Sequence, residues 1–485
     1  MIDYKTDYKN NGNRCLYCHV PIHLSKLIRY PGSLERELRC INVSRAANRG
    51  YRGKTWRAGY MRLTYWYALF SIIKGGILCD KLNTTFEAYT RNLSLSSSCY
   101  LMHIVLNPLI AALLCIRGAR AVGTAFGYAS GTTGGGSAAA AVPTSTSQLV
   151  SWLGDSTART ILLDKVFDFT DTEGSVTGTA CAAWTCSPNP QLAINQNNWC
   201  DNYYPSASKS TVTYKKAGVS AITVASNKTL LGKGTAGGIK GKGLRIAGGS
   251  NIIIQNIRIY DLNPRFVWGG DAITIDGGSN IWIDHNYIQN IGRQMIVTGY
   301  GSAQKVTISD NVFEGSSTYS ATCNGRHYWT LYFTGASDTI TFARNYIYMT
   351  SGRGPKIGGT SGYNQLVHMY NNYWVSVAGH ALDADTGAKV ILEGNYFNTV
   401  TTPSLAGSSG VVYAPIDSST ASTCSSYLGR SCYTNTLLSS GSLSRTDTSA
   451  LSAFSSASVV KSASIMAASS VSSYVQANAG LGKVN

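Results

Sequence analysis

Four short segments in the second half of the chain combine charged, aromatic and glycine residues in a way that could support catalysis. They lie at residues 268–274, 291–294, 327–329 and 350–356. These segments contain one carboxylate, Asp271, and two guanidinium groups, Arg293 and Arg353. Fixed positive charge stabilises an oxyanion that develops in a transition state. The three residues could therefore support a reaction that builds negative charge on a substrate oxygen.

Each of these residues also has a simpler structural explanation when it is taken alone. An aspartate that follows two glycines, as Asp271 does, is commonly a turn residue. An arginine in a loop is usually solvated, and a tryptophan after a strand more often packs in the core than lines a binding surface. The functional interpretation therefore depends on whether the fold brings Asp271, Arg293 and Arg353 together.

A repeated pattern predicts the elements that would position these residues. β-forming residues, a polar residue, an asparagine and an apolar pair recur, and the asparagines are Asn256, Asn286, Asn311, Asn345, Asn372 and Asn395. One such repeat, with its short β-strands, cannot bury its apolar face alone. The repeats are therefore expected to stack into a solenoid, a parallel β-helix. The alternative is an antiparallel sandwich or propeller, but the Asn-Gly hairpin turns that would favour it are scarce.

Stacking of the repeats has two consequences. The recurring asparagines would lie above one another at one bend, where their amides can form a ladder. Asp271, Arg293 and Arg353 fall on different repeats, and stacked coils could bring them onto one face. The uneven spacing of the repeats implies loops of varied length on one side, where a cleft would form. The Ser- and Ala-rich tail from about Ser418 is expected to pack back over the helix.

Composition and charge narrow the class of protein. Of the 485 residues, 44% are hydrophobic and only 13% charged, with 50 glycines and 30 tyrosines, which is typical of a strand-rich extracellular protein. The formal charge of +17 is uneven. The first 121 residues carry 18 basic and 6 acidic residues, whereas the rest carry 23 and 18. Without a concentrated basic surface after residue 121, we expect no nucleic-acid partner.

The cysteines and the region before residue 122 predict secretion. The body has six cysteines, an even number that suits disulfides in an oxidising compartment: Cys181, Cys186, Cys200, Cys323, Cys424 and Cys432. An apolar segment that ends in Ala119-Arg120-Ala121 predicts a signal peptide at residues 102–121. Asn227-Lys228-Thr229 is a glycosylation sequon.

Residues 1–101 show no repeat and no domain-like pattern, so we interpret them as a non-native or gene-model extension. The alternative is a signal anchor at 102–121 that holds this leader in the cytoplasm. The body at 122–485 is expected to be the catalytic domain, secreted and without a membrane segment.

The four segments, in this order on a predicted β-helix, resemble the pectin lyases of polysaccharide lyase family 1. The resemblance extends over the whole body, and further matching segments lie at 134–136, 167–170, 199–200, 240–246, 319–323 and 427–430. It implies a right-handed, single-stranded helix, no cofactor and a monomer. The implied substrate is pectin, methyl-esterified α-1,4-linked polygalacturonate, cleaved by β-elimination to 4,5-unsaturated products.

The resemblance also implies roles for individual residues. Arg353 would remove the C5 proton or, alternatively, stabilise the enolate-like transition state, with Arg293 beside it and Asp271 orienting the arginines or the sugar. Six residues would contact the substrate: Trp184, Trp199, Trp268, Trp329, Tyr328 and Lys356. Arg326 departs from the family pattern as an additional basic residue near the cleft, and we expect it to contact the substrate as well. The implied disulfides are Cys181–Cys200, Cys186–Cys323 and Cys424–Cys432.

Three other functions remain as alternatives. A calcium-dependent pectate lyase needs several oxygen ligands, but Arg293 and Val297 stand at the positions where those relatives place acidic ligands. We therefore expect no metal. A polygalacturonase needs paired carboxylates, which are absent. A non-catalytic β-helix that binds carbohydrate would keep the repeats without needing Asp271, Arg293 and Arg353 together.

Overall fold

The computed structural model describes residue 121 and residues 123–484. The extension predicted for 1–101 and the signal peptide predicted for 102–121, except its last residue, lie outside the described residues.

Parallel strands in this part of the chain form three long sheets around one axis. The first sheet contains β1 (Ala140–Ala141), β2 (Arg159–Leu163), β8 (Lys228–Gly232), β11 (Ser250–Gln255), β15 (Gly278–Asp284), β18 (Ala303–Ser309), β21 (Ser337–Ala343), β24 (Asn364–Tyr370), β26 (Ala388–Glu393) and β28 (Val411–Tyr413). The second contains β3 (Val166–Asp168), β9 (Gly238–Lys240), β12 (Arg258–Leu262), β16 (Tyr287–Ile291), β19 (Val312–Glu314), β22 (Tyr346–Tyr348), β25 (Tyr373–Ala384), β27 (Tyr396–Ser404) and β29 (Thr436–Leu438). The third contains β7 (Ile222–Thr223), β10 (Leu244–Ala247), β14 (Ile273–Asp276), β17 (Ile296–Thr298), β20 (Leu331–Phe333), β23 (Lys356–Ile357) and the end of β25.

From β2 to β25 the chain visits the sheets in the same order on every turn, and each of these coils adds to all three sheets. This is the parallel β-helix that the repeats predict. Equivalent apolar residues stack inside it, as in the buried column Ile259, Ile288, Phe313, Ile347, Trp374 and Phe397 of the second sheet. Such columns form one continuous core, which a single coil could not bury.

The turn from the first sheet to the second, which we call the ladder corner, is short and repeats from coil to coil. Asn286, Asn311, Asn345, Asn372 and Asn395 are fully buried there. The side-chain oxygen of each of the last four accepts hydrogen bonds of 2.9–3.0 Å from the backbone and side-chain nitrogens of the preceding one. This is the predicted amide ladder.

The assignment of Asn256 to the ladder is wrong. Its backbone is left-handed (φ 59°), and its side chain donates to the carbonyl oxygens of Gly232 and Gly234 at 2.8 Å. Ile257 takes the ladder position, since its N–H donates to the Asn286 side chain. At the other end the ladder continues into Asn435, which accepts from Asn395 at 3.0 Å and lies outside the repeats recognised from sequence.

The turn from the second sheet to the third, which we call the cleft corner, varies in length. It comprises residues 263–272, 292–295, 315–330, 349–355 and, inside the continuous strand β25, residues 376–381. An inserted segment covers it, with a small sheet that the repeats do not predict: β4 (Ser175–Cys181), β5 (Leu192–Ile194), β6 (Lys209–Lys215) and β13 (Phe266–Val267). β13 belongs to the cleft corner itself, so the insertion is fastened directly to the site region.

The helices are short and lie outside the coils. They are α1 (Thr146–Gly154), α2 (Trp199–Tyr203), α3 (Lys216–Val219), α4 (Ser418–Thr423), α5 (Ser425–Leu428), α6 (Thr448–Ala453), α7 (Ser458–Lys461) and α8 (Val471–Asn478). The last five belong to the tail, where Leu451 and Phe454 pack with Tyr413, and Val471 and Val475 pack with Tyr373. The tail thus packs over the helix as expected. Within the described residues, no helix has the length and apolar character needed to cross a membrane.

Candidate active site

Strand register brings the predicted catalytic residues together at the cleft corner. Thr274, Val297, Tyr332, Lys356 and Asp383 are paired in succession across the third sheet. The residues three positions earlier therefore lie at one level of the cleft corner on five adjacent coils: Asp271, Gln294, Trp329, Arg353 and His380. Backbone hydrogen bonds between the coils support this alignment, as between Leu331 N–H and the Arg353 carbonyl at 2.7 Å.

Arg293 is bound to Asp271 on the preceding coil. Its Nε and Nη2 donate to the two carboxylate oxygens at 2.9 and 2.6 Å, and its guanidinium carbon lies 4.0 Å from the ring centroid of Trp268. Burial opposes the charge, but Asp271 outweighs it and raises the pKa of Arg293 above its ordinary value. Arg293 is therefore a fixed, permanent cation.

Local backbone geometry places this pair. Trp268 is left-handed (φ 70°), and Gly270 has φ 136° in close contact with a neighbouring loop. A Cβ on Gly270 would lie 2.1 Å from the carbonyl oxygen of Gly218, so no other residue fits. The Gly270 carbonyl accepts from Arg293 N–H at 3.0 Å, which joins the Asp271 turn to the Arg293 turn.

Arg353 has a different environment. Among the described residues, no carboxylate oxygen lies within 4.0 Å of its guanidinium. Its guanidinium carbon instead lies 4.7 Å from the ring centroid of Trp329 and 5.0 Å from that of Tyr332. When the Gln294 amide is oriented to satisfy its neighbours, Gln294 accepts from Nη1 of Arg353 at 3.1 Å. Burial first, and the nearby charge of Arg293 in addition, lower the pKa of Arg353 below its ordinary value.

Lys356 and Arg326, both predicted to contact the substrate, are engaged with the protein. Lys356 Nζ lies 3.2 Å from Asp383 and 3.0 Å from Asp385, so two carboxylates offset its charge. Burial is the main cause of the lowered pKa of Arg353. The Arg326 guanidinium donates to the backbone carbonyl of Ser376.

Aromatic side chains form one continuous cluster above the arginines. Trp184 lies 6.3 Å from Trp199 and 5.4 Å from Trp329, Trp199 lies 6.1 Å from Trp268, and Tyr328 lies 4.8 Å from Trp329, all between ring centroids. The structure thus brings together the five aromatic residues predicted to line the cleft.

Two tyrosines of the cluster were missed from sequence. Tyr204 lies 5.0 Å and Tyr203 5.8 Å from the Trp199 ring, and the Tyr203 side chain is 69% exposed. Their place in Trp199-Cys200-Asp201-Asn202-Tyr203-Tyr204, one short helix beyond a predicted cleft residue, was the available signal.

Two buried side chains that tie the cluster to the coils were also missed. Gln191 accepts from Nε1 of Trp329 at 3.0 Å and donates to the carbonyl oxygens of Pro264 and Gly292 at 2.9 and 3.1 Å. His327 lies within hydrogen-bonding distance, 2.6 Å, of the Arg293 carbonyl oxygen, and burial lowers its pKa. Gln191 lies in no segment singled out from the sequence. His327 begins the segment 327–329, but its partner is irregular backbone that only the fold creates.

The cleft corner does not offer the ligands that calcium requires. Asp271 is the carboxylate beside Arg293, which already binds both of its oxygens. Val297 provides no side-chain oxygen, and Ca²⁺ takes six to eight oxygen ligands. The residues present therefore do not fit a calcium ion.

One His/Asp group elsewhere in the described chain has ligand atoms close together: Asp284, His285 and Asp310, at the ladder corner. These atoms are already engaged. Asp284 accepts from Ser309 at 2.6 Å and lies 2.6 Å from His285, and Asp310 binds the Arg344 guanidinium. The group is a buried charge network that fastens adjacent coils.

Within residues 123–484, three disulfides have the pairing that the family resemblance implied: Cys181–Cys200, Cys186–Cys323 and Cys424–Cys432. The first closes the insertion that carries Trp184 and Trp199. The second joins that insertion to the coil of Tyr328 and Trp329, so both cross-links hold the aromatic cluster in place. The third closes a small loop in the tail.

Comparisons with known proteins show the family of the chain. The family model described as pectate lyase matches residues 102–484. Pectin lyase B of Emericella nidulans is 48% identical over 384 residues, which cover 79% of this chain and 100% of that protein. A protein named "Probable pectin lyase A" in Aspergillus fumigatus is 51% identical over 380 residues, 78% of this chain and 99% of its own.

Among solved structures, a pectate lyase from Bacillus sp. N165 in complex with trigalacturonate covers 74% of this chain and 99% of its own, at 20% identity and a TM-score of 0.49. The identity of about half to fungal pectin lyases, over nearly their whole length, is the informative finding. The chain therefore belongs to the pectate lyase family of polysaccharide lyases.

Proposed function

We propose that this protein is a calcium-independent pectin lyase that cleaves methyl-esterified α-1,4-linked galacturonan by β-elimination. The observation that carries the proposal is the contrast between the two arginines. Arg293 is held by Asp271 with a raised pKa, whereas Arg353 lies between aromatic rings with a lowered pKa. Two like groups whose environments push their pKa values apart can take different roles in acid–base chemistry.

In this mechanism Arg353 removes the proton from C5 of the sugar. The electron pair forms the C4–C5 double bond, and the bond from C4 to the glycosidic oxygen breaks. That oxygen leaves with the bonding electron pair and takes a proton from water. The ester carbonyl oxygen gains negative charge in the transition state, and the permanent cation Arg293 stabilises it. Each pKa unit by which Arg353 lies above the ambient pH adds about 1.4 kcal/mol to the cost of its neutral form. Burial without a carboxylate partner reduces that cost.

The methyl ester makes this chemistry feasible without a metal. It removes the negative charge of the carboxylate, so the C5 proton is more acidic. Less electrostatic repulsion then opposes the negative charge that develops when this proton is removed. The aromatic cluster offers apolar ring faces and edges, which suit a neutral esterified sugar better than a polyanion. Tyr203, Trp199 and Trp184 provide this surface on the insertion side of the cleft.

The test compares highly methyl-esterified polygalacturonate with the same polymer after complete de-esterification. The ultraviolet absorbance of the conjugated product is followed for the wild-type protein and for Arg353→Lys as the inactive control. We expect absorbance to rise only with wild-type protein and esterified polymer. A faster rise on the de-esterified polymer would favour a pectate lyase, and binding of either polymer without any rise would favour a carbohydrate-binding protein.

We also propose that the mature protein is secreted as a monomer, starting at Val122. The three disulfides and the exposed side chain of Asn227 in its sequon support an oxidising secretory route. The test is N-terminal sequencing and size-exclusion chromatography of protein recovered from the culture medium. A secreted protein that starts before Met102 would contradict the proposed processing.

A further inference from the structure

The backbone of Arg353 is held in an unusual conformation by the coils on either side. Arg353 is left-handed (φ 46°), a conformation that is strained for a residue with a side chain. Its carbonyl accepts from Leu331 N–H at 2.7 Å on the preceding coil. Its N–H donates to Nε2 of His380 at 3.1 Å on the following coil. The His380 imidazole is thus the second group that holds the backbone of Arg353, the residue that we assign as the base.

The local structure of β25 aims the His380 ring at this N–H. The register between β25 and β27 shifts between Val377 and His380, and such a bulge turns a side chain out of the regular alternation. The ring packs edge-on against Tyr328, with the centroids 5.8 Å apart. Position and orientation of His380 are therefore both fixed by the fold.

Because the Arg353 N–H is a donor, Nε2 of His380 must carry a lone pair. The imidazole is therefore neutral in this arrangement, with its proton on Nδ1. The charged groups that face it are Arg353 and Lys356 on the preceding coil and Asp383 on its own strand. Burial lowers the pKa of His380. Asp383 opposes this effect, and the two cations add to it.

We propose that His380 is a positioning residue, whose neutral imidazole holds the backbone of Arg353 and thereby aims the Arg353 guanidinium at the substrate. The inference rests on the proposed function, because it acts through Arg353. Protonation of His380 removes the acceptor and adds a third positive charge beside Arg353 and Lys356. Positioning is thus intact above the lowered pKa of His380 and is lost as the pH falls through it, which gives the rate an acid limb.

The test uses two substitutions and a matched control. His380→Phe keeps a ring against Tyr328 but has no acceptor, whereas His380→Gln offers an amide oxygen that does not titrate. His285→Gln is the control, because it changes a half-buried histidine at the ladder corner. For each variant we would measure kcat and KM against pH, the melting temperature, and hydrogen exchange of the peptide that contains the Arg353 amide.

For His380→Phe we expect kcat to fall about 10- to 100-fold, the size that a small misplacement of a reacting group causes. KM and the melting temperature should change little, and the Arg353 amide should exchange faster. His380→Gln should restore kcat at neutral pH and lose the acid limb. His285→Gln should keep both the rate and the acid limb.

Three results would overturn the inference: His380→Phe with wild-type kcat and exchange, a folded His380→Gln as slow as His380→Phe, or an acid limb that persists in His380→Gln. Failure of the proposed function is distinguishable, because the wild-type protein would then show no lyase activity on esterified pectin.

Discussion

Two of the turns in each coil, the ladder corner and the cleft corner, use their residues in opposite ways. At the ladder corner, successive coils place the same side chain at the same position, as with Asn311 and Asn345, and each amide satisfies the next. At the cleft corner, equivalent positions carry Asp271, Gln294 and Arg353, and no two are alike. Repetition of the asparagine at the ladder corner stabilises the stack of coils. Variation of the side chains at the cleft corner provides the groups that can act on a substrate. We therefore expect the ladder corner to control stability and the cleft corner to control rate.

The largest effect on rate is expected for Arg353→Lys at the cleft corner. Lysine keeps the charge but loses the planar guanidinium that lies between Trp329 and Tyr332. We expect kcat to fall about 10³-fold, as for loss of a general base, with an unchanged melting temperature. Arg258→Lys is the matched control, because Arg258 also lies over tyrosine rings, 5.2 Å from the centroid of Tyr287, but on the outer face of the second sheet. It should keep wild-type kcat, and a similar loss in both variants would contradict the account.

The reciprocal change is Asn345→Leu at the ladder corner. Asn345 donates to the Ile308 carbonyl at 2.9 Å and to Asn372 at 3.0 Å, and leucine leaves these buried partners and the Asn311 donors unsatisfied. We expect the free energy of unfolding to fall by about 3 kcal/mol, measured by urea denaturation. The kcat of the folded fraction should stay the same. A loss of kcat with unchanged stability would reverse the roles of the two corners.

Acid should weaken the ladder corner through Glu393. This carboxylate is fully buried and binds Arg430 at 2.7 Å and His368 at 2.8 Å. Burial raises its pKa, but these partners outweigh burial and lower the pKa of Glu393 to about 2. Since the folded-state pKa is depressed, its stabilisation is present above its ordinary pKa and is lost as the pH falls toward 2.

The expected loss is up to about 3 kcal/mol, and most of it falls below about pH 4. Urea unfolding at about pH 5 and about pH 3 measures it, with Glu393→Gln as the control. Equal pH slopes for the two proteins would show that Glu393 is not the group responsible.

The smallest effect is expected for Arg326→Gln. The Arg326 side chain is held by the Ser376 carbonyl, so it contributes charge at a distance. We expect kcat on fully esterified pectin to change less than about twofold, and KM on partly esterified pectin to rise modestly at low salt. The rise should vanish at high salt. A salt-independent rise would indicate direct contact with the sugar.

The repeats predicted the fold because the same residue types recur wherever the same strand environment recurs. The sequence correctly predicted the ladder from Asn286 through Asn395, and the prediction failed only at the two ends of the ladder. Asn256 and Asn435 lie where the regular coils begin and end, and there the irregular turns decide which residue meets the ladder. The small mixed sheet of the insertion was missed for a related reason, since it occurs once and has no repeat to reveal it.

For the site, sequence identified residue types but not their partners. Arg353, Arg293 and Asp271 could be assigned, but the pairing of Lys356 with Asp383 and Asp385 depends on register between coils. Gln191 and His380 act on backbone groups, and their roles follow from where the turns leave a carbonyl or an N–H unpaired. Such residues carry no motif, because the geometry they complete is three-dimensional.

We propose that Arg293, held by Asp271, supplies fixed charge without a metal. The most direct test is the initial rate on highly methyl-esterified pectin in excess chelator. Rates are compared before chelation, after chelation and after calcium is added back, with the unsaturated product followed by absorbance. We expect the same initial rate in all three conditions. A rate that disappears with chelator and returns with calcium would contradict the proposal.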